Sequence, residues 1–159
     1  MLLGVVLSAL LFILPAYVAN ATPVIVRGKH PIDLGKNFID GKRIFGDGKT
    51  FEGFISGVLA GVASGVIVGH VIQLSLTLSL GALLGDLLGA FIKRRLGLRR
   101  GAPAPGLDQL DFIIGALALS SIIYIPGVDI VATVLLVTPP LHVLTNRLAY
   151  MLKLKDTPW

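Results

Sequence analysis

Residues 85–111 read GDLLGAFIKRRLGLRRGAPAPGLDQLD, and in this stretch one apolar segment ends and the next begins. The stretch opens inside residues 53–92, where Asp86 is the one acidic or basic side chain apart from a histidine. An unpaired carboxylate at membrane depth costs several kcal/mol, so an acid in an apolar segment usually has a functional partner. The alternative is a buried polar contact that locks two helices together. Asp86 is therefore the first candidate functional residue.

Charged residues of both signs follow Asp86 in the same stretch. Residues 93–95 form a cationic Lys-Arg-Arg cluster, and a hinge of glycine, alanine and proline covers residues 101–106. Asp108 and Asp111 lie just beyond the hinge, three residues apart. Three acids and three bases thus meet where two apolar segments end and begin. We interpret this group as a site for a metal ion and phosphate at a membrane surface.

The composition is that of an integral membrane protein. Of the 159 residues, 54% are hydrophobic and 14% are charged, and the mean hydropathy is +0.85. In a soluble domain about a quarter of the residues are charged. The chain is long enough for one domain and too short for two substantial ones. It contains no cysteine, which excludes disulfides, thiolate nucleophiles and thiolate metal sites.

The positive charges predict one orientation in the membrane. All 14 lysines and arginines fall in three patches, at residues 27–49, 93–100 and 147–155, while the N-terminal run and two intervening turns carry none. Cytoplasmic loops carry the excess of lysine and arginine in membrane proteins. We therefore expect an all-α integral membrane protein with five transmembrane helices, its N-terminus outside, and its C-terminus and two large loops in the cytoplasm.

Five apolar runs supply the spans of a single transmembrane catalytic domain, residues 1–159. A helix of residues 53–92 would be about 60 Å long, about twice the bilayer core, so this run must cross twice. A cleaved signal peptide is the alternative for the first run, but positive charge follows that run instead of preceding it. We expect spans at about residues 2–26, 53–71, 74–92, 108–125 and 128–149, with cytoplasmic loops at 27–52 and 93–107.

Glycine recurs at every fourth residue in the second and third spans, from Gly53 to Gly69 and from Gly81 to Gly89. Such small-residue faces let helices approach closely in lipid, so the pattern predicts tight helix packing. On the third span Asp86 and Lys93 share one helical face with Gly89. The small residue between acid and base predicts room for a ligand.

The first long loop ends in a glycine-rich turn, Gly46-Asp47-Gly48-Lys49-Thr50. A nucleotide P-loop would need a glycine where Arg43 stands and a strand before it, so that motif is excluded. The turn can still bind phosphate through backbone N–H groups at a helix start. An ordinary loop with a helix cap explains the local sequence equally well.

Three carboxylates are the candidate metal ligands. Asp86, Asp108 and Asp111 offer hard oxygen donors, which suit magnesium better than zinc. Asp108 and Asp111 alone would be ordinary acids at a helix start. His142 has no histidine at ligand spacing, so a hydrogen-bonded core or interface histidine is the favoured interpretation.

Several motifs spread over nearly the whole chain form a recognisable set. They are Asp40-Gly41-Lys42-Arg43-Ile44-Phe45-Gly46-Asp47-Gly48-Lys49-Thr50, Gly85-Asp86-Leu87 with Phe91, Lys93-Arg94-Arg95, Pro103 to Asp111, Thr138-Pro139 with His142, Asn146 and Arg147, and Lys155-Asp156-x-Pro158-Trp159. Together they closely resemble the CDP-archaeol synthase family, which is similar in turn to the CDP-diacylglycerol synthases. Gln109 stands where the latter have an arginine.

The resemblance implies a Mg²⁺-dependent cytidylyltransferase of archaeal membranes, with its active site facing the cytoplasm and no nucleic-acid partner. It would transfer CMP from CTP to unsaturated archaetidic acid, an isoprenoid glycerol-phosphate lipid, giving CDP-archaeol and diphosphate. Asp86, Asp108 and Asp111 would hold the magnesium, and Lys93 would act with them in catalysis. The residues expected to bind nucleotide and phosphate are Asn37, Asp40, Gly41, Arg43, Gly46, Lys49, Thr50, Arg94 and Arg95.

Two other functions are weighed against this one. A CDP-alcohol phosphotransferase has a signature that begins Asp-Gly and ends with two aspartates four apart, whereas Asp108 and Asp111 are three apart and Asp40-Gly41 lacks the sequel. A transporter would suit the glycine faces and one intramembrane acid. It would not require two long basic cytoplasmic loops.

Overall fold

A computed structural model describes residues 2–158. Within this range the chain forms five α-helices and no β-sheet, which confirms the all-α prediction. Two isolated β-bridges, Pro31–Thr50 and Asn37–Arg43, lie in the loop before the second helix. The helices are α1 (Leu2–Val26), α2 (Phe51–Ile67), α3 (Ile72–Arg95), α4 (Leu107–Ser120) and α5 (Val128–Met151).

The helix limits differ from the predicted spans at several ends. Helix α2 stops at Ile67, because Gly69 adopts φ +89 and the N–H groups of Gly69 and His70 bond back to Val66 and Gly65. This is a Schellman motif, which a glycine in the left-handed region favours. Helix α3 continues to Arg95, where its cationic last turn complements the helix dipole.

Three helices, α1, α3 and α5, are long and apolar enough to cross a membrane. Helix α2 is a shorter apolar helix of 17 residues, and α4 has 14 residues. Because a crossing takes about 20 residues, α2 and α4 fall short of a full span on their own. The count of five crossings therefore stays a prediction.

The core lies where α1 packs against α3 and α4. Ile13, Leu78, Ile113 and Ala116 are fully buried there, together with Phe112. Helix α1 contacts each of the other four helices. The first apolar run is thus a central element of the bundle.

The glycine faces pack helix against helix, as their spacing predicts. A Cβ atom on Gly57 would lie 2.7 Å from the Ala19 carbonyl oxygen of α1, and one on Gly61 would lie 2.7 Å from the Pro15 carbonyl oxygen. A Cβ on Gly81 would collide with the backbone of α4 at Gly115. Gly69 is the exception, because it lies beyond the end of α2 with nothing near it.

Candidate active site

A cavity of about 760 Å³ lies between the last turns of α3, the start of α4, the second half of α5 and the end of the α1–α2 loop. Ligand sites for small molecules commonly have volumes of about 300–1,000 Å³. Most of the predicted site residues line this one cavity. They are Gly46, Lys49, Thr50, Asp86, Lys93, Arg94, Asp108 and Asp111.

Two ion pairs cross the cavity wall. Lys49 Nζ lies 2.5 Å from Asp86 Oδ2, and Lys93 Nζ lies 2.7 Å from Asp108 Oδ1. Asp108 also accepts the Ala104 N–H at 2.8 Å, which fixes it at the start of α4. Asp86 and Lys93 share a face of α3, but seven residues of helix separate them by about 10 Å of rise. Each therefore pairs with a residue from another element.

Lys49 is positioned by the start of α2. Thr50 is the N-cap of this helix, and its side-chain oxygen accepts the Gly53 N–H at 3.2 Å. A side-chain cap of this kind satisfies one of the free N–H groups of the first turn. The turn therefore caps a helix and also brings Lys49 to Asp86, while phosphate binding by its backbone N–H groups stays a prediction.

Asp111 occupies the space beside Gly89 in which the sequence predicts room for a ligand. A Cβ on Gly89 would lie 2.8 Å from the Asp111 Cγ and closer still to its carboxylate oxygen, and a Cβ on Gly85 would collide with the Asp111 carbonyl group. The expectation of open room at Gly89 is therefore wrong. The missing side chain admits a carboxylate from α4, so α3 and α4 both contribute acids to one site.

The three aspartates do not form a preassembled metal site. Among residues 2–158, no group of three or more carboxylate or imidazole side chains lies close enough together to hold a metal ion. Asp86 and Asp108 each bond a lysine instead, and Asp111 Oδ1 accepts the Phe112 N–H at 2.6 Å. All three do line the same cavity.

Arg94 lines the cavity and carries one buried donor without a partner among the described residues. Its buried Nε makes no hydrogen bond within residues 2–158. Buried polar groups are nearly always hydrogen-bonded in folded proteins. Arg94 also lines a second groove of about 330 Å³ with Arg43, Arg99 and Arg100. Its position suits a residue that binds an anionic substrate.

Five of the predicted nucleotide-binding residues lie outside the main cavity: Asn37, Asp40, Gly41, Arg43 and Arg95. Arg95 Nε lies 2.7 Å from Asp40 Oδ2, and the Arg95 guanidinium lies 4.6 Å from the Phe91 ring centroid and 5.1 Å from that of Phe38. These contacts dock the loop onto the end of α3. The structure gives Asp40 and Arg95 a role in holding the loop.

Asp33 organises the same loop and was missed in the sequence. Its buried carboxylate accepts hydrogen bonds from Arg43 Nη2 at 2.6 Å, Phe45 N at 3.0 Å and Gly46 N at 2.8 Å. Burial favours the neutral acid, but these donors outweigh it and hold the pKa of Asp33 well below its usual range. The one local signal is an aspartate two residues before Gly35, whose N–H it accepts in an Asx turn.

Helix α5 and the C-terminal segment complete the cavity with His142, Asn146 and Lys155. Asn146 Nδ2 lies 3.2 Å from His142 Nδ1, and Lys155 Nζ donates to Asn146 Oδ1 at 3.0 Å. The His142 ring also packs 5.9 Å from that of Phe112. His142 is a hydrogen-bonded interface histidine, as expected, but it faces the site. In the sequence, the signal for these residues is their place in two C-terminal motifs: His142 and Asn146 follow Thr138-Pro139, and Lys155 begins the last motif.

Comparison with known proteins decides the family. A family model described as CarS-like, CDP-archaeol synthase, matches residues 2–159. The chain belongs to the CDP-archaeol synthase family. Family membership makes it a cytidylyltransferase that forms CDP-archaeol in archaeal lipid synthesis, and it decides against a transporter or a CDP-alcohol phosphotransferase.

Named relatives cover almost the entire chain. A CDP-archaeol synthase of Thermofilum pendens is 49% identical over 98% of this chain and 82% of its own length. One from Sulfurisphaera tokodaii is 49% identical over 97% of this chain and 96% of its own length. A solved structure, described as an intramembrane enzyme for archaeal membrane lipids biosynthesis, is 44% identical with a TM-score of 0.82, and the match covers 89% of this chain and 94% of that one. The protein is thus a membrane-embedded enzyme.

Proposed function

We propose that this cavity transfers CMP from CTP to 2,3-bis-O-(geranylgeranyl)-sn-glycerol 1-phosphate, giving CDP-archaeol and diphosphate. The observation that carries the proposal is the gathering of Lys49, Lys93 and Arg94 with three aspartates around one cavity of about 760 Å³. The triphosphate of CTP and the phosphate of the lipid acceptor both carry negative charge. A site that brings them together must supply positive charge.

The acceptor needs no general base. Its phosphate oxygen is already an anion and attacks the α-phosphorus of CTP, while the bond to the β-phosphate oxygen breaks and diphosphate leaves. The barrier lies in bringing anions together and holding them in line. Lys49, Lys93 and Arg94 would neutralise these phosphates, and their fixed positions stabilise the charge that moves to the leaving group.

Magnesium fits the chemistry of the donor set. Asp86, Asp108 and Asp111 are hard oxygen donors on one cavity, and magnesium is usually held by one or two carboxylates together with substrate phosphates. A protein site with three converging ligands is therefore unnecessary. When bound, the ion would neutralise charge on the triphosphate. The lysines paired with Asp86 and Asp108 hold these carboxylates in place before the nucleotide arrives.

The site would face the cytoplasm, where CTP is made. The cavity lies at the end of the bundle that carries all three basic patches, since Lys49, Lys93 and Lys155 line it together. The excess of lysine and arginine marks the cytoplasmic side. Helix α5 packs on α1 and α4 and, in the described part of the chain, makes few or no contacts with α2 and α3. The lipid acceptor would enter the cavity from the bilayer between α5 and these two helices.

Purified protein in liposomes tests the proposal. Labelled CTP and the geranylgeranyl glycerol phosphate should give a CTP- and magnesium-dependent lipid product. Asp86→Asn and Lys93→Ala should each lower kcat by about a hundredfold or more while far-UV circular dichroism in detergent stays unchanged. A wild-type protein inactive with every isoprenoid acceptor would contradict the function. Near-normal turnover in either variant would remove only that residue from the mechanism.

A further inference from the structure

The C-terminal tail, residues 152–158, folds back over the cavity. Helix α5 ends in a Schellman motif in which the N–H groups of Lys153 and Leu154 bond the carbonyl oxygens of Tyr150 and Ala149. The residue that makes the turn is Lys153, with φ +58, where glycine would be expected. The chain thus reverses direction directly before Lys155.

Contacts from distant elements hold the reversed tail. Arg27, at the end of α1, donates from Nη2 to the Lys153 carbonyl oxygen at 2.6 Å. Thr157 packs near Gly101 of the hinge between α3 and α4. A non-glycine residue in the left-handed region is kept there only when its surroundings over-determine it. The tail is therefore a built part of the cavity wall.

The turn places the Lys155 side chain in the cavity beside the two ion pairs. Asn146 Oδ1 accepts from its Nζ at 3.0 Å, and Asn146 is itself bonded to His142. Burial lowers the pKa of the Lys155 ammonium, Asp108 raises it, and Lys49 and Lys93 lower it further. The group lines the same cavity as Asp108, Lys49 and Lys93.

We propose that Lys155 is a further phosphate-binding residue of this active site, presented by the C-terminal tail and oriented by Asn146. The inference rests on the proposed CTP-dependent reaction. A lysine held at a cavity that already gathers cations serves a substrate with more than one phosphate group. That phosphate belongs either to the CTP triphosphate or to the lipid acceptor. Lys155 joins the lysines and arginines that already line the cavity, and the C-terminal tail presents it.

Steady-state kinetics of the full-length protein in liposomes test the proposal. Lys155→Gln should lower kcat/KM by about tenfold or more, and Lys155→Arg should restore most of the loss because it keeps the charge. A raised KM for CTP with an unchanged KM for lipid assigns Lys155 to the triphosphate. The reverse assigns it to the acceptor phosphate. Either outcome supports the proposal.

Lys153→Asn is the matched control. It removes one positive charge from the same tail, its side chain is exposed, and asparagine tolerates the left-handed conformation. Its kinetics should match those of the wild type. The proposal is overturned if Lys155→Gln turns over like the wild type, or if Lys153→Asn loses as much activity. An inactive wild-type protein would instead refute the proposed reaction itself.

Discussion

At the scale of single residues, the site depends on acids that are satisfied by bases from elsewhere in the chain. Lys49 and Asp86 are 37 residues apart, and Lys93 and Asp108 are 15 apart. Removing one partner of such a pair leaves a desolvated charge, which costs more than the pair contributes. The most buried acid of this kind is Asp33, whose side chain is fully covered.

Asp33→Asn should destabilise the protein by about 1–3 kcal/mol at neutral pH, because its charged hydrogen bonds are lost. The folded-state pKa of Asp33 is depressed. Its stabilisation is therefore fully present above the unfolded value of about 3.9 and is lost as the pH falls further. Thermal unfolding followed by circular dichroism should show a wild-type advantage that is constant between about pH 5 and 7 and narrows below about pH 4.

Asp47→Asn serves as the control for Asp33. Asp47 bonds the same arginine, with Arg43 Nη1 at 2.7 Å, but its side chain is largely exposed. Exposed ion pairs contribute about 0–1 kcal/mol. Equal losses in the two variants would show that Asp33 does not organise the loop.

At the scale of elements, α3 and α4 form the pair on which the site is built. Glycines on α3 let the α4 backbone approach until the Asp111 carboxylate rests on Gly89. Phe112 and Ile113 of α4, fully buried, hold that approach in the core. The N-terminal part of α4 thereby carries Asp108 and Asp111 into the cavity, and packing between helices sets their position.

Gly89→Ala tests this arrangement. In an open helix position alanine is favoured over glycine by about 1 kcal/mol, but here the new Cβ meets Asp111. We expect a lower melting temperature and about a tenfold or greater loss of kcat, because Asp111 is displaced from the cavity. Gly4→Ala on α1, where a Cβ has nothing within 4 Å, should leave kcat unchanged and should not lower the melting temperature. Wild-type activity in Gly89→Ala would contradict the placement of Asp111.

At the scale of the whole molecule, charge is divided between the two ends of the bundle. The three basic patches converge on the cavity end, whereas the turns at residues 68–71 and 121–127 lack lysine and arginine. This division follows the positive-inside rule. It also concentrates positive charge where anionic substrates would arrive from solution.

Cysteine labelling tests the orientation, and the absence of native cysteine gives a clean background. Ile39→Cys lies in the α1–α2 loop and Ile122→Cys lies between α4 and α5, at sites that are 93% and 74% exposed. In intact cells a membrane-impermeant maleimide should label Ile122→Cys, and should label Ile39→Cys only after permeabilisation. The opposite pattern would invert the proposed topology.

The sequence alone determined the class of the protein and most of the candidate site residues that line the cavity. Composition, charge distribution and glycine spacing are local properties, so they predict an all-α membrane protein without a structure. Asp86 is identifiable because an unpaired carboxylate in an apolar run costs free energy, so the residue must have a functional or structural partner. The helix ends are less accurate, since turns such as that at Gly69 depend on how the next helix returns.

Only the tertiary structure decided how those residues are partnered. In the structure Lys49 pairs with Asp86, and Asp111 fills the space at Gly89. Asp40 and Arg95 form an ion pair that docks the α1–α2 loop onto α3. The tertiary structure also brought the tail with Lys155 back to the cavity. Each of these contacts joins residues distant in the chain. Which residues contact each other depends on how the packed helices orient their side chains. Local sequence patterns do not contain that information.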